Sequence, residues 1–179
     1  MNENGPAAAE ERERRLYAKL TELGIEWTTH AHAAVFTVGE ARAARVDALA
    51  GTHTKNLFVE SRSGALFLVA AREELKLDLN ALARALNVPR FSFGKAELMR
   101  EALGIAPGAV SPFALINDVG GDAGSRVRAV LDEGMLKKDP LNFHPLRNDR
   151  TTAIRAADLV RFLRAIGHEP LVMALPEKE

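Results

Sequence analysis

The strongest constraint on the fold is a pair of apolar, β-prone runs separated by a short polar turn. The runs cover residues 56–60 and 65–70, and the Ser-Arg-Ser-Gly segment 61–64 between them has turn composition. Two such runs at this spacing predict a β-hairpin. The chain therefore builds at least part of a sheet from antiparallel neighbours.

Helical patterns are distributed along the rest of the chain. Thr37 and Glu40 have the spacing of a capping box, Asp78 stands at an N-cap position, and Gly104 closes an apolar stripe. Leucines recur at helical spacing in the first and last of these patterns. The predicted helices cover residues 7–23, about 37–46, 79–86, 96–103 and 159–166.

Further short apolar runs predict strands at residues 25–29 and 171–173. Residues 113–116 and 127–131 predict a second strand pair joined by a Gly-rich turn. Hairpins interspersed with helices at irregular intervals favour an α+β (mixed α/β) domain over a repeating βαβ fold. With 47% apolar residues in 179, one domain can bury a sizeable core.

Composition excludes several classes of function. The 24 basic and 24 acidic residues cancel, which argues against nucleic-acid binding by bulk cationic attraction but leaves a local basic groove open. The absence of Cys excludes disulfides, thiolate metal sites and Cys nucleophiles. No apolar stretch approaches the length of about 18 residues needed to cross a bilayer, so we expect a cytoplasmic protein.

Two segments could serve chemistry at the mouths of predicted strands. Lys55 stands at the entrance of the first hairpin strand, where it could present a point charge to a phosphate or carboxylate or simply be solvated. Residues 104–112 form a loop of small and rigid residues around Gly108. Such a loop could aim backbone N–H groups at a ligand oxygen, or only connect a helix tightly to a strand.

A third segment, residues 142–152, packs an imidazole, two amides and two hydroxyls together before the last helix. Polar groups at this density are costly to bury unless they bond to each other or to a ligand, although an ordinary loop would also carry them. No Gly-rich phosphate loop occurs, and His30 and His32 lack a carboxylate cluster at metal-ligand spacing. We therefore expect no metal or nucleotide cofactor.

Taken in order, these segments resemble the free-standing editing proteins related to the insertion domain of bacterial prolyl-tRNA synthetase, the YbaK-like or ProX deacylase family. The resemblance runs from about residue 10 to residue 173. The segment 142–145 and the closing 167–170 are most similar to the branch that deacylates alanyl-tRNA(Pro). The matching positions are His32, 35–37, 40–41, 55–58, Gly108, 111–113, 142–145, 148–149 and 151–152.

The resemblance implies a single editing domain over residues 7–175, after a flexible start at 1–6, with a central mixed, largely antiparallel sheet surrounded by helices. It implies hydrolysis of the ester in Ala-tRNA(Pro) by direct attack of water, since no Cys or Ser-His-Asp arrangement is present. Proline would be excluded by the size of the pocket, a second sieve that the synthetic site itself cannot provide.

The resemblance also implies roles for individual residues. Lys55 would anchor the terminal adenosine, the backbone at Gly108 would hold the ester carbonyl, and His144 would bind in the pocket or act as a weak base. The implied substrate-binding residues are Val35, Phe36, Thr37, Asn56, Ser111, Pro112, Asn148 and Thr151.

The implied partners are the acceptor end of aminoacylated tRNA(Pro) and prolyl-tRNA synthetase, with no membrane and no cofactor. Two alternatives stay open: the same scaffold clearing Cys-tRNA(Pro) or another small aminoacyl-tRNA, and a non-catalytic module that binds the aminoacyl-tRNA or the synthetase. Basic candidates for a local tRNA patch are Lys55, Arg72, Lys76, Lys95, Arg126, Arg128, Lys137, Lys138, Arg147 and Arg150.

Overall fold

The predicted hairpin forms the middle of the sheet. The computed structural model describes residues 6–34, 49–118 and 124–178. Strands β2 (Thr52–Ser61) and β3 (Leu66–Arg72) pair antiparallel from Thr54 opposite Arg72 to Glu60 opposite Leu66. The 61–64 turn is closed where the Ser61 N–H donates to the Ala65 carbonyl at 2.9 Å. The hairpin prediction is therefore confirmed.

Six further strands extend the sheet on both sides of the hairpin. They are β1 (Trp27–Ala31), β4 (Phe91–Phe93), β5 (Val127–Asp132), β6 (Leu141–Phe143), β7 (Arg150–Ile154) and β8 (Leu171–Met173). The order is β1-β7-β6-β2-β3-β5-β8, and β4 also pairs with β2. Within the described chain the pairings β1–β7, β6–β7, β2–β3 and β2–β4 are antiparallel, whereas β2–β6, β3–β5 and β5–β8 are parallel.

Helices cover both faces of this mixed sheet. They are α1 (Pro6–Glu22), α2 (Leu79–Ala85), α3 (Ala96–Leu103) and α4 (Ala156–Ala165), with 3₁₀ turns at Pro112–Asn117 and Met135–Lys137. The predicted caps are present: the Asp78 carboxylate accepts from the N–H groups of Asn80 and Ala81, and Gly104 adopts φ 62°. The predicted helix at 37–46 lies outside the described residues.

Alternation along β3 separates two cores. Leu66, Leu68 and Ala70 face a larger core that is completed by α1, α3 and α4. Phe67 and Val69 point the other way, into a smaller core under α2. Burial on both faces explains why this strand reads as a continuous apolar run. No helix within the described ranges is long and apolar enough to cross a membrane.

The predicted strand at 113–116 is wrong. Pro112 opens a 3₁₀ turn there, and the Ala114 N–H donates to the Ser111 carbonyl at 3.0 Å. Proline fixes φ and removes a ladder donor, so apolar content alone misled the prediction. Phe113 packs edge-on against Phe143 and Phe162, and β5 pairs with β3 in place of this segment.

Candidate functional site

The polar segment 142–152 contains parts of two strands and the turn between them. Strands β6 and β7 pair antiparallel across a turn at residues 144–149, and Asn142, Thr151 and Thr152 are buried. Their polar atoms are satisfied internally: the Asn142 amide donates to the Ala50 carbonyl at 3.1 Å, and the Thr152 hydroxyl lies 2.8 Å from that of Thr29. Hydrogen bonding therefore offsets the cost of burying this segment.

His144 follows β6 directly and has a fixed orientation. Its Nδ1 lies 2.9 Å from the Arg150 carbonyl, and because a carbonyl only accepts, Nδ1 carries the proton. In the neutral ring Nε2 then keeps its lone pair for another ligand. Burial lowers the pKa of His144 below its ordinary value of 6.5, with a smaller lowering from nearby His32. The neutral imidazole is therefore the favoured form near pH 7.

A second imidazole lies beside the first. The ring centroids of His32 and His144 are 6.1 Å apart. His32 Nδ1 donates to the Ala33 carbonyl at 2.7 Å, so its neutral ring accepts at Nε2 from the Thr151 hydroxyl at 2.9 Å. The sequence prediction assigned Thr151 to substrate binding, and the structure brings it to this imidazole pair.

The 104–112 loop is joined to His144 by one buried hydrogen bond. The Ser111 hydroxyl, fully buried, donates to the His144 carbonyl at 2.7 Å. Gly108 has φ 91°, a conformation that glycine adopts without strain, and Pro112 begins the 3₁₀ turn. The structure therefore brings Ser111 and His144 together.

Asn56 lies on β2 opposite Ala70, on the face of the sheet toward the larger core. Its amide Nδ2 donates to the Thr54 hydroxyl at 3.3 Å, and that hydroxyl donates to the Asn142 carbonyl at 2.7 Å. The Asn56 Oδ1 atom is buried and has no hydrogen-bond partner within the described part of the chain. A buried amide oxygen in this state is available to accept from a donor on a ligand.

Lys55 extends to the same face of the sheet as Asn142 and Thr151. The register of β2 is regular, so Lys55 and Asn56 extend to opposite faces of the sheet. The Lys55 ammonium donates to the carbonyls of Glu73, at 3.0 Å, and Leu75. Burial lowers the pKa of Lys55, and nearby Glu73, Glu74 and Glu177 oppose that shift. None of the hydrogen bonds among described residues joins Lys55 to Gly108 or His144.

An ion network fastens the 144–149 turn to α1. Glu13, only 5% exposed, receives Arg147 at 3.2 Å and Arg150 at 3.4 Å. Arg147 also pairs with Asp149 at 2.5 Å, which lowers the pKa of Asp149. Sequence analysis missed Glu13, although its place on the leucine stripe of α1, three residues before Leu16, could have revealed it.

The four remaining predicted substrate-binding residues add little to the geometry of the site. Asn148 is half-buried in the turn between β6 and β7, and Val35, Phe36 and Thr37 lie outside the described residues. Within residues 6–34, 49–118 and 124–178, no three His, Asp or Glu side chains group as a metal site.

Five of the ten basic residues that the sequence offers as a local tRNA patch form ion pairs with carboxylates among the described residues. These pairs are Arg72–Asp132, Arg126–Glu101, Lys137–Glu133, Arg147 with Glu13 and Asp149, and Arg150–Glu13.

Comparison with known proteins supports the resemblance. A profile of the aminoacyl-tRNA editing domain matches residues 32–162. The prolyl-tRNA synthetase associated domain-containing protein 1 of Danio rerio is 36% identical over 87% of this chain and 83% of its own length. The prolyl-tRNA editing protein ProX of Acetoanaerobium sticklandii is 30% identical over 84% of this chain and 90% of its own.

Solved structures share the fold. The hypothetical protein APE2540 superposes with a TM-score of 0.70 at 19% identity, covering 90% of this chain and 98% of the other. A candidate trans-editing enzyme for prolyl-tRNA synthetase gives 0.68 at 23% identity, covering 93% and 98%. The profile match and the similarity to ProX together establish that this chain belongs to the aminoacyl-tRNA editing domain family of prolyl-tRNA editing proteins.

Proposed function

We propose that this protein hydrolyses Ala-tRNA(Pro), releasing alanine from tRNA that has been mischarged. The observation that carries this proposal is the oriented His144 imidazole, held by the Arg150 carbonyl and bonded through its own carbonyl to buried Ser111. This arrangement supplies a neutral acceptor at Nε2 beside a loop that is rich in backbone donors. The reaction needs both, since water must be held while charge develops on the ester oxygen.

The proposed step is direct hydrolysis. The oxygen of a water molecule bonds to the ester carbonyl carbon, the bond from that carbon to the ribose oxygen breaks, and the ribose oxygen takes a proton. His144 Nε2 orients the water by accepting a hydrogen bond from it. Backbone N–H groups of the 108–112 loop stabilise the developing oxyanion. The products are free alanine and a tRNA whose terminal ribose is again unesterified.

The Oδ1 of Asn56, which has no hydrogen-bond partner among the described residues, would accept from a hydroxyl or amine of the substrate. Lys55 would anchor the terminal adenosine from the sheet face that also carries Thr151. It would hold a phosphate by its point charge and would not touch the reacting ester. The ammonium would exchange its bonds to backbone carbonyls for the phosphate.

The pocket would select alanine by size. We propose that Val35, Phe36 and Thr37 form the wall that proline cannot pass, because a small cavity excludes a larger ring more effectively than it excludes a smaller side chain. Cysteine and serine are close to alanine in size, so the size of the pocket discriminates against them less strongly than against proline. The partners would be the tRNA(Pro) acceptor end and, in the cytoplasm, prolyl-tRNA synthetase.

The test is a deacylation time course on tRNA(Pro) charged separately with Ala, Cys, Ser and Pro. We expect rapid loss of Ala, slow loss of Pro, and a rate for His144→Ala that is lower by about 100-fold, the range for a positioned proton-transfer or water-binding group. A His30→Ala protein, altered at an exposed histidine, is the matched control.

The outcomes separate the alternatives. Preferential loss of Cys or Ser would keep the chemistry and change the substrate. No turnover of any ester, with RNA binding retained, would favour the non-catalytic module. The non-catalytic module is supported by one observation, namely that the Lys55 ammonium is engaged by the backbone carbonyls of Glu73 and Leu75.

A further inference from the structure

The face of the sheet that carries Lys55 also carries a large open groove. It occupies about 1140 Å³ between β2, β4, the segment 76–80 and the end of the chain. Five of its lining residues are cations: Lys55, Arg62, Lys76, Arg90 and Lys178. Sequence analysis had named Lys55 and Lys76 but not the others, which lie far apart in the chain.

Four cations of this groove form no ion pair within the described part of the chain. Arg62, Lys76, Arg90 and Lys178 have no carboxylate within 4.0 Å there, in contrast to the paired arginines elsewhere on the surface. Asp78 is the carboxylate that lines the groove, and its Oδ1 is already engaged as the N-cap of α2. The lining of the groove therefore carries more cations than carboxylates on a chain whose net charge is zero.

That charge is concentrated at the end away from Lys55. Glu73, Glu74 and Glu177 lie close enough to act on Lys55, so they partly neutralise its end of the groove. At the other end the Arg62 backbone N–H donates to the Arg90 carbonyl at 3.0 Å, which places the main chains of the two arginines side by side. Both residues line the groove, and guanidinium groups are suited to phosphate oxygens.

An exposed aromatic ring stands beside the arginine pair. Phe93 lies three residues after Arg90 in β4 and is 66% exposed. Phe91 of the same strand is buried edge-on against Phe67, with ring centroids 5.2 Å apart, so it anchors the strand that presents Phe93. Leu57 and Leu79 add an apolar floor. A solvated phenylalanine next to unpaired arginines combines a stacking surface with an anion site.

We propose that this groove binds unpaired nucleotides of an RNA strand, with phosphates on Arg62 and Arg90 and a base stacked on Phe93. The inference rests on the proposed function for the source of the RNA, which would be the substrate itself, and it assigns a further contact surface on the sheet face that carries Lys55 and Thr151. An acidic peptide would satisfy the arginines and leave Phe93 unused. A nucleotide would use the arginines for its phosphate and Phe93 for its base. Because the chain has no net positive charge, RNA would bind at this groove and not by general attraction to the surface.

The experiment measures binding of a fluorescein-labelled, eight-nucleotide single-stranded RNA to the full chain by anisotropy. We expect Arg62→Glu/Arg90→Glu to weaken binding by about tenfold or more and to flatten the slope of log K against log salt by about 1.4, the value for two single-strand phosphates. Phe93→Ala should weaken binding about five- to 100-fold through lost stacking, with little change in that slope.

A matched control carries the same change in charge. Arg15→Glu/Arg155→Glu alters two exposed arginines outside the groove and should bind the RNA as the wild type does. Thermal unfolding of all three variants verifies folding; the backbone bond between residues 62 and 90 survives the double substitution. A duplex RNA of the same length should bind more weakly than the single strand, because its bases are not free to stack.

Two results would overturn the inference: equal RNA binding by the groove and control variants, or equal binding of polyglutamate that is unaffected by Phe93→Ala. The second would identify the groove as a surface for acidic protein segments. Because the assay contains no aminoacyl ester, it is independent of the proposed function. If the groove variants lose RNA binding and the wild type hydrolyses no ester, the groove proposal is supported and the deacylase proposal is rejected.

Discussion

At the scale of single residues, the ionisation of His144 sets the pH range of the proposed reaction. Burial lowers the pKa of its imidazole below 6.5, so the neutral ring persists into mildly acidic solution. We expect turnover to hold constant as pH falls to about 6.5, the ordinary pKa of His, and to decline only below it. A pH–rate profile checks this, and a decline already complete at pH 6.5 would contradict it.

The same shift affects stability. Since the folded-state pKa is lower than the unfolded-state value, the unfolded chain takes up the proton first as pH falls. The free energy of unfolding should therefore decrease from about pH 6.5 downward until the folded-state pKa is reached. His144→Gln should make that part of the pH dependence shallower in urea unfolding experiments. An unchanged slope would show that His144 is not the group responsible.

The buried Ser111 hydroxyl provides a second prediction at this scale. Ser111→Ala leaves the His144 carbonyl without its donor, and we expect a loss of about 1–3 kcal/mol in the free energy of unfolding. The proposed deacylation should slow as well, because the loop and the imidazole lose their direct link. Calorimetry and the alanyl-tRNA assay measure the two effects.

Ser92→Ala is the matched control for that substitution. Ser92 is exposed and its hydroxyl reaches the Glu60 carbonyl at 3.4 Å, a weak contact on the other face of the sheet. The free energy of unfolding and the deacylation rate of Ser92→Ala should stay near the wild-type values. Equal effects of the two substitutions would contradict a specific role for Ser111.

At the scale of elements, α1 acts on the candidate site through its buried glutamate. Glu13→Gln removes the charge that receives Arg147 and Arg150, and Asp149 continues to hold Arg147. We expect a loss of about 1–3 kcal/mol in stability, the range for hydrogen bonds to charged groups. Turnover should also fall, because Arg150 supplies the carbonyl that orients His144.

Glu11→Gln tests whether any charge on α1 would have this effect. Glu11 pairs with Arg14 on the exposed side of the same helix, three residues along. Exposed pairs contribute little to stability, so its melting temperature and turnover should match the wild type. A Glu13→Gln protein that behaves like Glu11→Gln would show that α1 only packs against the core.

The helices and strands differ in how well local sequence patterns predict them. The hairpin, the Asp78 cap and the Gly104 stop each depend on local chemistry, and local patterns predicted them. Strands β6 and β7 carry Asn142, Thr151 and Thr152, whose buried polar side chains concealed the strand signal. Besides each other, these strands pair with β2 and β1, more than 80 residues away in the chain, and periodicity does not report such distant pairing.

The candidate site was predictable in composition but not in arrangement. Ser111 and His144 were named from the sequence and meet in the structure. Lys55 was grouped with them and lies on the sheet face of Thr151, but its ammonium bonds to the carbonyls of Glu73 and Leu75 and lines the groove. Arg62, Arg90 and Lys178 carried no motif, since their significance comes only from the pairing of β2 with β4 and from the position of the chain end.

At the scale of the whole molecule, the sheet separates two cores that should respond differently to mutation. Phe113 and Phe67 are both fully buried, one on each side. We expect Phe113→Leu and Phe67→Leu to destabilise the protein by similar amounts, about 1–3 kcal/mol, through lost volume and aromatic contacts. Thermal unfolding of the two variants measures this loss of stability.

Activity should distinguish the two variants. Phe113 follows Ser111 and Pro112 and packs on Phe143, next to His144, so Phe113→Leu should slow deacylation. Phe67 packs on Phe91 beneath the groove, so Phe67→Leu should spare deacylation and weaken binding of single-stranded RNA. Equal loss of both activities in both variants would show that the faces are not independent.

The alternation of β2 also limits how this protein can change through evolution. Lys55 and Asn56 are neighbours in the chain but serve opposite faces of the sheet. Inserting or deleting one residue before them within the strand would exchange their faces and disable both surfaces at once. Lineages descended from such a protein can vary its loops freely in length, but we expect β2 to gain or lose residues only in twos.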